Sequence, residues 1–363
     1  MGRHIVFALR NILLLSIALF SLAGCGNDST SSGLTAETIL AQMNHTYSSC
    51  QTYHDTGVVT TTFIQSSGNW IDEKPFLTAF VRPDRFRFEY QETQSSVEYR
   101  YIIWRNNAEV LSWWDVKPGI GTEESLDMAI AGATGVSSGS AHMIPTLLLP
   151  NEISGRRLTD ITEARRIADT EIDSVNCYRI QGKYADDSIT IWIEADTFLV
   201  RRIETQHAFT DFSTETVTTY TPAVNGVVTD DMLAFNPPLA NGDVGDRLVI
   251  TNITPASVSS NQTTTFTIEV SYTLSSNDTG VLRVLDQEVT VSKGSGTHIF
   301  NVAAPPVDTG SYSYFMVSVT LYDQQSLPLA YQEKFIIVSP SAQASMSQKT
   351  IVRELRNRQR VYQ

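Results

Sequence analysis

Residues 76–90 read Phe-Leu-Thr-Ala-Phe-Val-Arg-Pro-Asp-Arg-Phe-Arg-Phe-Glu-Tyr. Strict alternation over 85–90 places Phe86, Phe88 and Tyr90 on one face and Arg85, Arg87 and Glu89 on the other, the pattern of a half-buried antiparallel strand. Pro83 cannot donate to a strand ladder, so Arg82-Pro83-Asp84 reads as a turn joining this strand to one that carries Phe76, Thr78 and Phe80. The stretch is a hairpin. Its apolar side meets either a packed core or a cavity, and alternation signals burial in both cases.

Working outward, 56–65, 97–104 and 109–115 extend the hairpin into an antiparallel series, with Asn106-Asn107 as a turn that tolerates positive φ. Before it, Thr35 caps a helix reaching about Tyr47, with Glu37 in the first turn and Leu40, Met43 and Tyr47 on one stripe. After it, 122–149 turns helical and rich in small residues. Leu126, Ala129 and Ile130 form one stripe and Met143, Leu147 and Leu148 another, which predicts two short helices joined by a Gly/Ser loop. Strands resume over 165–173, 177–184, 188–194, 199–206 and 214–221, and Leu233-Ala-Phe-Asn-Pro-Pro238 closes the unit.

A chain of 363 residues with 42% apolar and 18% charged residues is globular and long enough for two domains. Both ends are basic. Without Arg3, Arg10, Lys349, Arg353, Arg356, Arg358, Arg360 and Glu354, the stretch 25–340 holds 19 basic against 38 acidic residues, which argues against nucleic acid as a partner.

The first 24 residues read as an export signal: Arg3, His4 and Arg10 make a cationic start, and 12–22 is apolar but too short to span a bilayer. Leu22-Ala23-Gly24-Cys25 resembles a bacterial lipobox. That resemblance implies acylation of Cys25 with palmitate-type chains, an extracytoplasmic location and a membrane anchor, with 25–34 as a flexible tether. Gly26, where an aspartate would favour inner-membrane retention in enteric-type lipoproteins, leans toward an outer membrane if the cell has one.

A helix, a meander of strands, a helical insertion and more strands resemble the LolA/LolB-like lipoprotein-carrier superfamily over 35–240. The likeness is carried by the 82–87 hairpin, the Asn-Asn turn, Cys177-Tyr-Arg-Ile180, Ile191-Trp-Ile-Glu194 running into Leu199-Val-Arg-Arg202, and the Phe235-Asn-Pro-Pro238 ending. It implies a mainly β (α+β) fold in which an incomplete antiparallel barrel is plugged by helices on its concave face. It also implies a cavity for an apolar ligand or acyl chain, with Phe86, Phe88, Tyr90, Trp104, Trp114, Met128, Met143 and Leu147 as candidate lining. The rival reading is a protein-interaction or envelope-stress-sensing module of the RseB type.

From Arg247 short strands with turn signals at 259–261, 275–278 and 293–296 fit an immunoglobulin-like β-sandwich over 247–340, without a Cys–Trp–Cys signature. A basic tail, 341–363, follows. Catalytic chemistry has little support: the histidines are scattered, no metal-ligand spacing or phosphate loop occurs, and Gly135-Val-Ser-Ser-Gly139 matches a nucleophile elbow only as a string. No cofactor is expected. Cys50 and Cys177 are either a staple, in an oxidising compartment, or two small buried hydrophobes.

Overall fold

The computed structural model describes residues 33–339 apart from 95–96, 118, 240–242, 261 and 305–312. The signal segment, Cys25 and the basic tail lie outside the described residues. The described residues from Thr35 onward form one compact unit.

Helix α1 (Ala36–Ser49) begins where Thr35 Oγ1 accepts the Thr38 amide at 3.2 Å, so the expected cap is in place. Six strands follow as a meander: β1 (Thr52–Ile64), β2 (Trp70–Val81), β3 (Arg85–Gln94), β4 (Val97–Asn106), β5 (Glu109–Trp114) and β6 (Ile120–Thr122). Asn107, at φ 54°, makes the β4–β5 turn. The insertion holds three helices where two were expected: α2 (Leu126–Val136), α3 (Ser140–Met143) and α4 (Pro145–Leu148). Pro145 starts a new helix because it lacks the amide needed to continue the previous one. A second meander, β7 (Thr162–Ile172), β8 (Val175–Tyr184), β9 (Asp187–Glu194), β10 (Val200–Ala208) and β11 (Ser213–Tyr220), returns to pair with β1. The two-residue β12 (Ala223–Val224) also pairs with β1.

The strand order β6-β5-β4-β3-β2-β1-β11-β10-β9-β8-β7 is therefore one antiparallel sheet, with β6 and β7 at its ends. Side chains from Phe88 on one wing and Ile180 and Ile191 on the other enter the same hydrophobic cluster, together with Ile39, Met43 and Tyr47 of α1, Ile130 of α2 and Leu147 of α4. A sheet whose two wings share one cluster must curl around it. The result is an incomplete barrel, open between β6 and β7, with helices on its concave side.

A second cluster belongs to β13 (Arg247–Thr254), β14 (Ser257–Ser259), β15 (Thr264–Val284), β16 (Gln287–Ala304), β17 (Ser313–Tyr322) and β18 (Pro328–Ser339). Two predicted turns are corrected here. Neither stretch reverses the chain: 294–296 pair in register with 272–274, and 275–278 are extra residues opposite Lys293 at a register shift inside the long β15–β16 hairpin. Buried Asp246 accepts from the amides of Ser275 (2.7 Å) and Ser276 (3.2 Å), so the polar residues that resemble a turn fix a bend instead. The bend lets the first half of β15 pair with β13 and the second half with β17, giving two sheets around one core.

The two clusters are not joined by a bare linker. β18 pairs in parallel with β6, Gln332 donates to the Thr122 carbonyl at 3.0 Å and accepts from the Ile250 amide, and Lys117–Glu333 (3.0 Å) and Arg247–Glu109 (2.6 Å) tie the halves together.

Candidate functional site

The two faces of β3 set the geometry. Phe86, Phe88 and Tyr90 are fully buried on the concave side, as the alternation implies. Phe88 stacks on Phe76 at 6.2 Å and Tyr90 on Tyr101 at 6.0 Å; Tyr101 in turn meets Trp114 at 5.6 Å. The rings form two adjacent stacks, Phe88–Phe76–Tyr220 and Tyr90–Tyr101–Trp114, that together make an aromatic floor. Leu147 is fully buried above it, and Trp114 and Met143 are half-buried against the same cluster.

Two candidates fall elsewhere. Trp104 pairs with Arg87 and so lies on the opposite, convex face, where Nε1 donates to the Leu233 carbonyl at 2.7 Å and the ring packs on Phe235. Residue parity decides this: β4 keeps strict alternation, so Tyr101 and Ile103 face the helices while Ile102 and Trp104 cannot. Met128 is 36% exposed, on the outer side of α2, because the stripe Leu126, Ala129, Ile130 and Ala133 takes the inner side.

The convex face of β3 also departs from expectation. Arg87 and Glu89 are buried, not solvated. Glu89 pairs with both Arg87 and Arg100, Arg87 Nη2 donates to Asn236 Oδ1 at 2.9 Å, and Arg87 Nη1 donates to the Met232 carbonyl at 3.4 Å, so the 231–236 segment lies over the group. Desolvation draws the Arg87 guanidinium below its ordinary range while Glu89 opposes the shift. The segment from Asp231 to Leu239 is a strap over this charged face, joined to a small apolar cluster of Ile102, Leu111, Trp113 and Ile120. A cleft of about 230 Å³ lies beside it, lined by Trp113, Lys117, Leu239 and Leu329.

Sequence reading missed the polar group on the concave face. Asp55 is buried beneath α1, where the Tyr53 hydroxyl donates to Oδ2 at 2.7 Å and Oδ1 has no hydrogen-bond partner. Burial pushes this carboxyl up to about 6, with the Tyr53 hydrogen bond and the Thr78 hydroxyl and backbone pulling the other way. Close by, the Tyr220 hydroxyl is buried without a partner, as is Trp114 Nε1. Tyr47 reaches across from α1, accepting the Val200 amide at 2.9 Å, and burial raises Tyr47, Tyr53 and Tyr220. The signal was present in the sequence: Asp55 shares its parity with Tyr53 and Val59, which puts a carboxylate among apolar neighbours.

Cys50 and Cys177 are both free and buried. Each thiol donates locally, to the Tyr47 carbonyl (3.1 Å) and the Val175 carbonyl (3.5 Å), and burial raises both. The Gly135–Gly139 string sits at the end of α2. Ser137 is buried there and its Oγ accepts from the Ala141 amide at 3.1 Å, so no strand delivers it as an elbow requires.

The first half is thus a curved antiparallel sheet, open at one seam and closed on its inner side by helices. No protein-family model and no curated protein matches the chain. Among solved structures, LprF from Mycobacterium bovis is 10% identical, covering 53% of this chain and 94% of its own at a TM-score of 0.33. A LolA superfamily protein from Nitrosomonas europaea is 11% identical, covering 56% and 99% at 0.26. MucB, solved in complex with MucA(peri), is 10% identical and covers 85% and 95% at 0.26. Function is argued below from this chain's own residues.

Proposed function

We propose that the chain is a non-enzymatic lipoprotein of a bacterial envelope, anchored through Cys25, whose curved-sheet half receives an apolar ligand or acyl chain between the concave aromatic floor and the helices. One observation carries the reading: Asp55 Oδ1, Tyr220 Oη and Trp114 Nε1 are buried without a well-formed hydrogen bond along a face that is aromatic and apolar apart from the threonines Thr61, Thr78 and Thr218. A core selected only for packing pairs such groups, because each one left alone costs about 1–3 kcal/mol. An acyl chain with a polar end supplies both the contact area and the missing partners. Part of the cover is short, with α3 and α4 only four residues each, so displacing that part breaks few backbone hydrogen bonds while α1 and α2 stay in place.

The test is titration with a fluorescent polyene fatty acid. Uptake at one site, displaced by palmitate, is the expected result, and Tyr220→Phe should bind more weakly while remaining at least as stable as the parent. Absence of uptake overturns the reading. A second reading, a protein-interaction module, is favoured by the filled state of the concave face and by the β6–β18 junction, which holds the second half in a fixed position.

A further inference from the structure

Away from the concave floor, the ends of two adjacent hairpins carry a row of stacked aromatic rings. Phe63 stacks on Trp70 at 3.6 Å and meets Phe212 at 6.4 Å; Phe212 stacks on Phe209 at 4.2 Å, and Phe209 meets His207 at 4.2 Å. These rings do not fill a core. Trp70 is 50%, Ile71 63% and Phe209 48% exposed. The β1–β2 turn beside them, Gln65-Ser-Ser-Gly-Asn69, carries no charge. Exposed apolar groups concentrated at one tip mark an interaction surface.

We infer that this tip inserts into the interfacial layer of the bilayer that holds the lipid anchor, a reading that rests on the anchoring at Cys25. Tryptophan settles at the headgroup level, and phenylalanine beside it supplies the apolar face buried at the headgroup–acyl boundary. Chain geometry brings the anchor within reach. Only Cys50 and Gln51 separate α1 from β1, so the helix doubles back along the strand. α1 also packs on the turn at Leu158–Asp160, next to Thr162, which pairs with Lys183 at the strand end shared by Asp187 and His207. The start of α1 and the tip therefore lie toward the same end of the sheet. Along that direction α1 covers about 21 Å and β1 about 43 Å, leaving roughly 20 Å for the tether to bridge. The ten residues from Cys25 to Leu34 extend to about 33 Å.

Charge selects the surface. Asp72, Glu73, Asp187 and Asp211 surround the tip, while Lys74 is engaged by Asp72 and Glu92, and His207 by Asp187. An acidic rim disfavours strongly anionic lipid, so the matching surface is zwitterionic.

The experiment uses the mature full-length chain, reconstituted through its anchor into phosphatidylcholine vesicles with or without bromine on the acyl chains. Of five tryptophans only Trp70 stands at the tip. Brominated lipid should quench about one fifth of the emission, and Trp70→Phe, with an unchanged circular dichroism spectrum, should abolish that quenching. Phe209→Ser, with Trp70 kept, should reduce it. Absence of quenching, or quenching that persists in Trp70→Phe, overturns the inference; absence together with dimers in sedimentation assigns the tip to a second copy instead. The anchoring itself is read separately: if protein carrying Cys25→Ser together with Trp70→Phe and Phe209→Ser sediments with vesicles as the parent does, the anchor reading fails whatever the quenching shows.

Discussion

The two faces of β3 are both buried, but by opposite means. On the concave face aromatic rings meet helices that come from both before and after the first meander, and the polar atoms there are left over. On the convex face the strap from Asp231 to Leu239 meets charged side chains, and most of their polar atoms are paired: Glu89 with two guanidinium groups, Asn236 with Arg87, Trp104 with the Leu233 carbonyl. The difference separates a face that is finished from one that is not. An ionic network that leaves only Arg87 Nε without a partner fixes the strap in one position, whereas the unpaired groups on the helix-covered face leave a demand that a ligand can meet.

The largest effect should come from breaking the finished side. Glu89→Ala leaves Arg87 and Arg100 facing each other without a counter-charge, and should cost about 3–5 kcal/mol in denaturant unfolding. A loss below about 1 kcal/mol would mean that water, not Glu89, satisfies the two guanidinium groups.

The unfinished side should respond in the other direction. Asp55 is held near 6 in the folded protein, above the ordinary carboxylate value, so the folded state keeps a proton that the unfolded chain has released. Stability should therefore fall as pH rises from about 4 to 6, and the penalty is complete above that window. Asp55→Asn should remove it, stabilising the protein at neutral pH by about 2–3 kcal/mol. Melting temperatures of parent and variant across pH 4–7 check the sign. Half-buried Glu123 is shifted the same way by desolvation, so a smaller slope should remain in the variant.

The smallest effect distinguishes the faces by ligand and not by stability. Trp104→Phe removes one hydrogen bond to the strap, worth about 1 kcal/mol, and should leave acyl-probe affinity unchanged because the ring is on the far side of the sheet. A weakened affinity would place Trp104 in the site after all.

Most of the fold was legible because period-2 alternation and turn residues are local. Phe86, Phe88 and Tyr90 declared their face, and Asn107 its turn. What stayed hidden depends on distant chain. Arg87 and Glu89 read as solvated because nothing near them announces that Met232 and Asn236 will cover them. Trp104 was misplaced because its aromatic character was given more weight than its parity with Ile102. The polar run at 275–278 looked like a turn until Asp246, thirty residues earlier, is seen to hold its amides. The tip escaped notice for the same reason: Trp70 and Phe209 lie far apart in sequence and become one surface only when β1 pairs with both β2 and β11.

The central claim, that the concave face takes an apolar ligand, is tested most directly by native mass spectrometry. The chain from Gly26 onward, exported behind an ordinary secretory signal and purified without detergent, should carry a non-covalent adduct with the mass of an acyl lipid. That adduct should be depleted in Tyr220→Phe and retained in Trp104→Phe. A spectrum showing only the bare chain, together with no uptake of added fatty acid, would contradict the account and leave the concave face as a closed core.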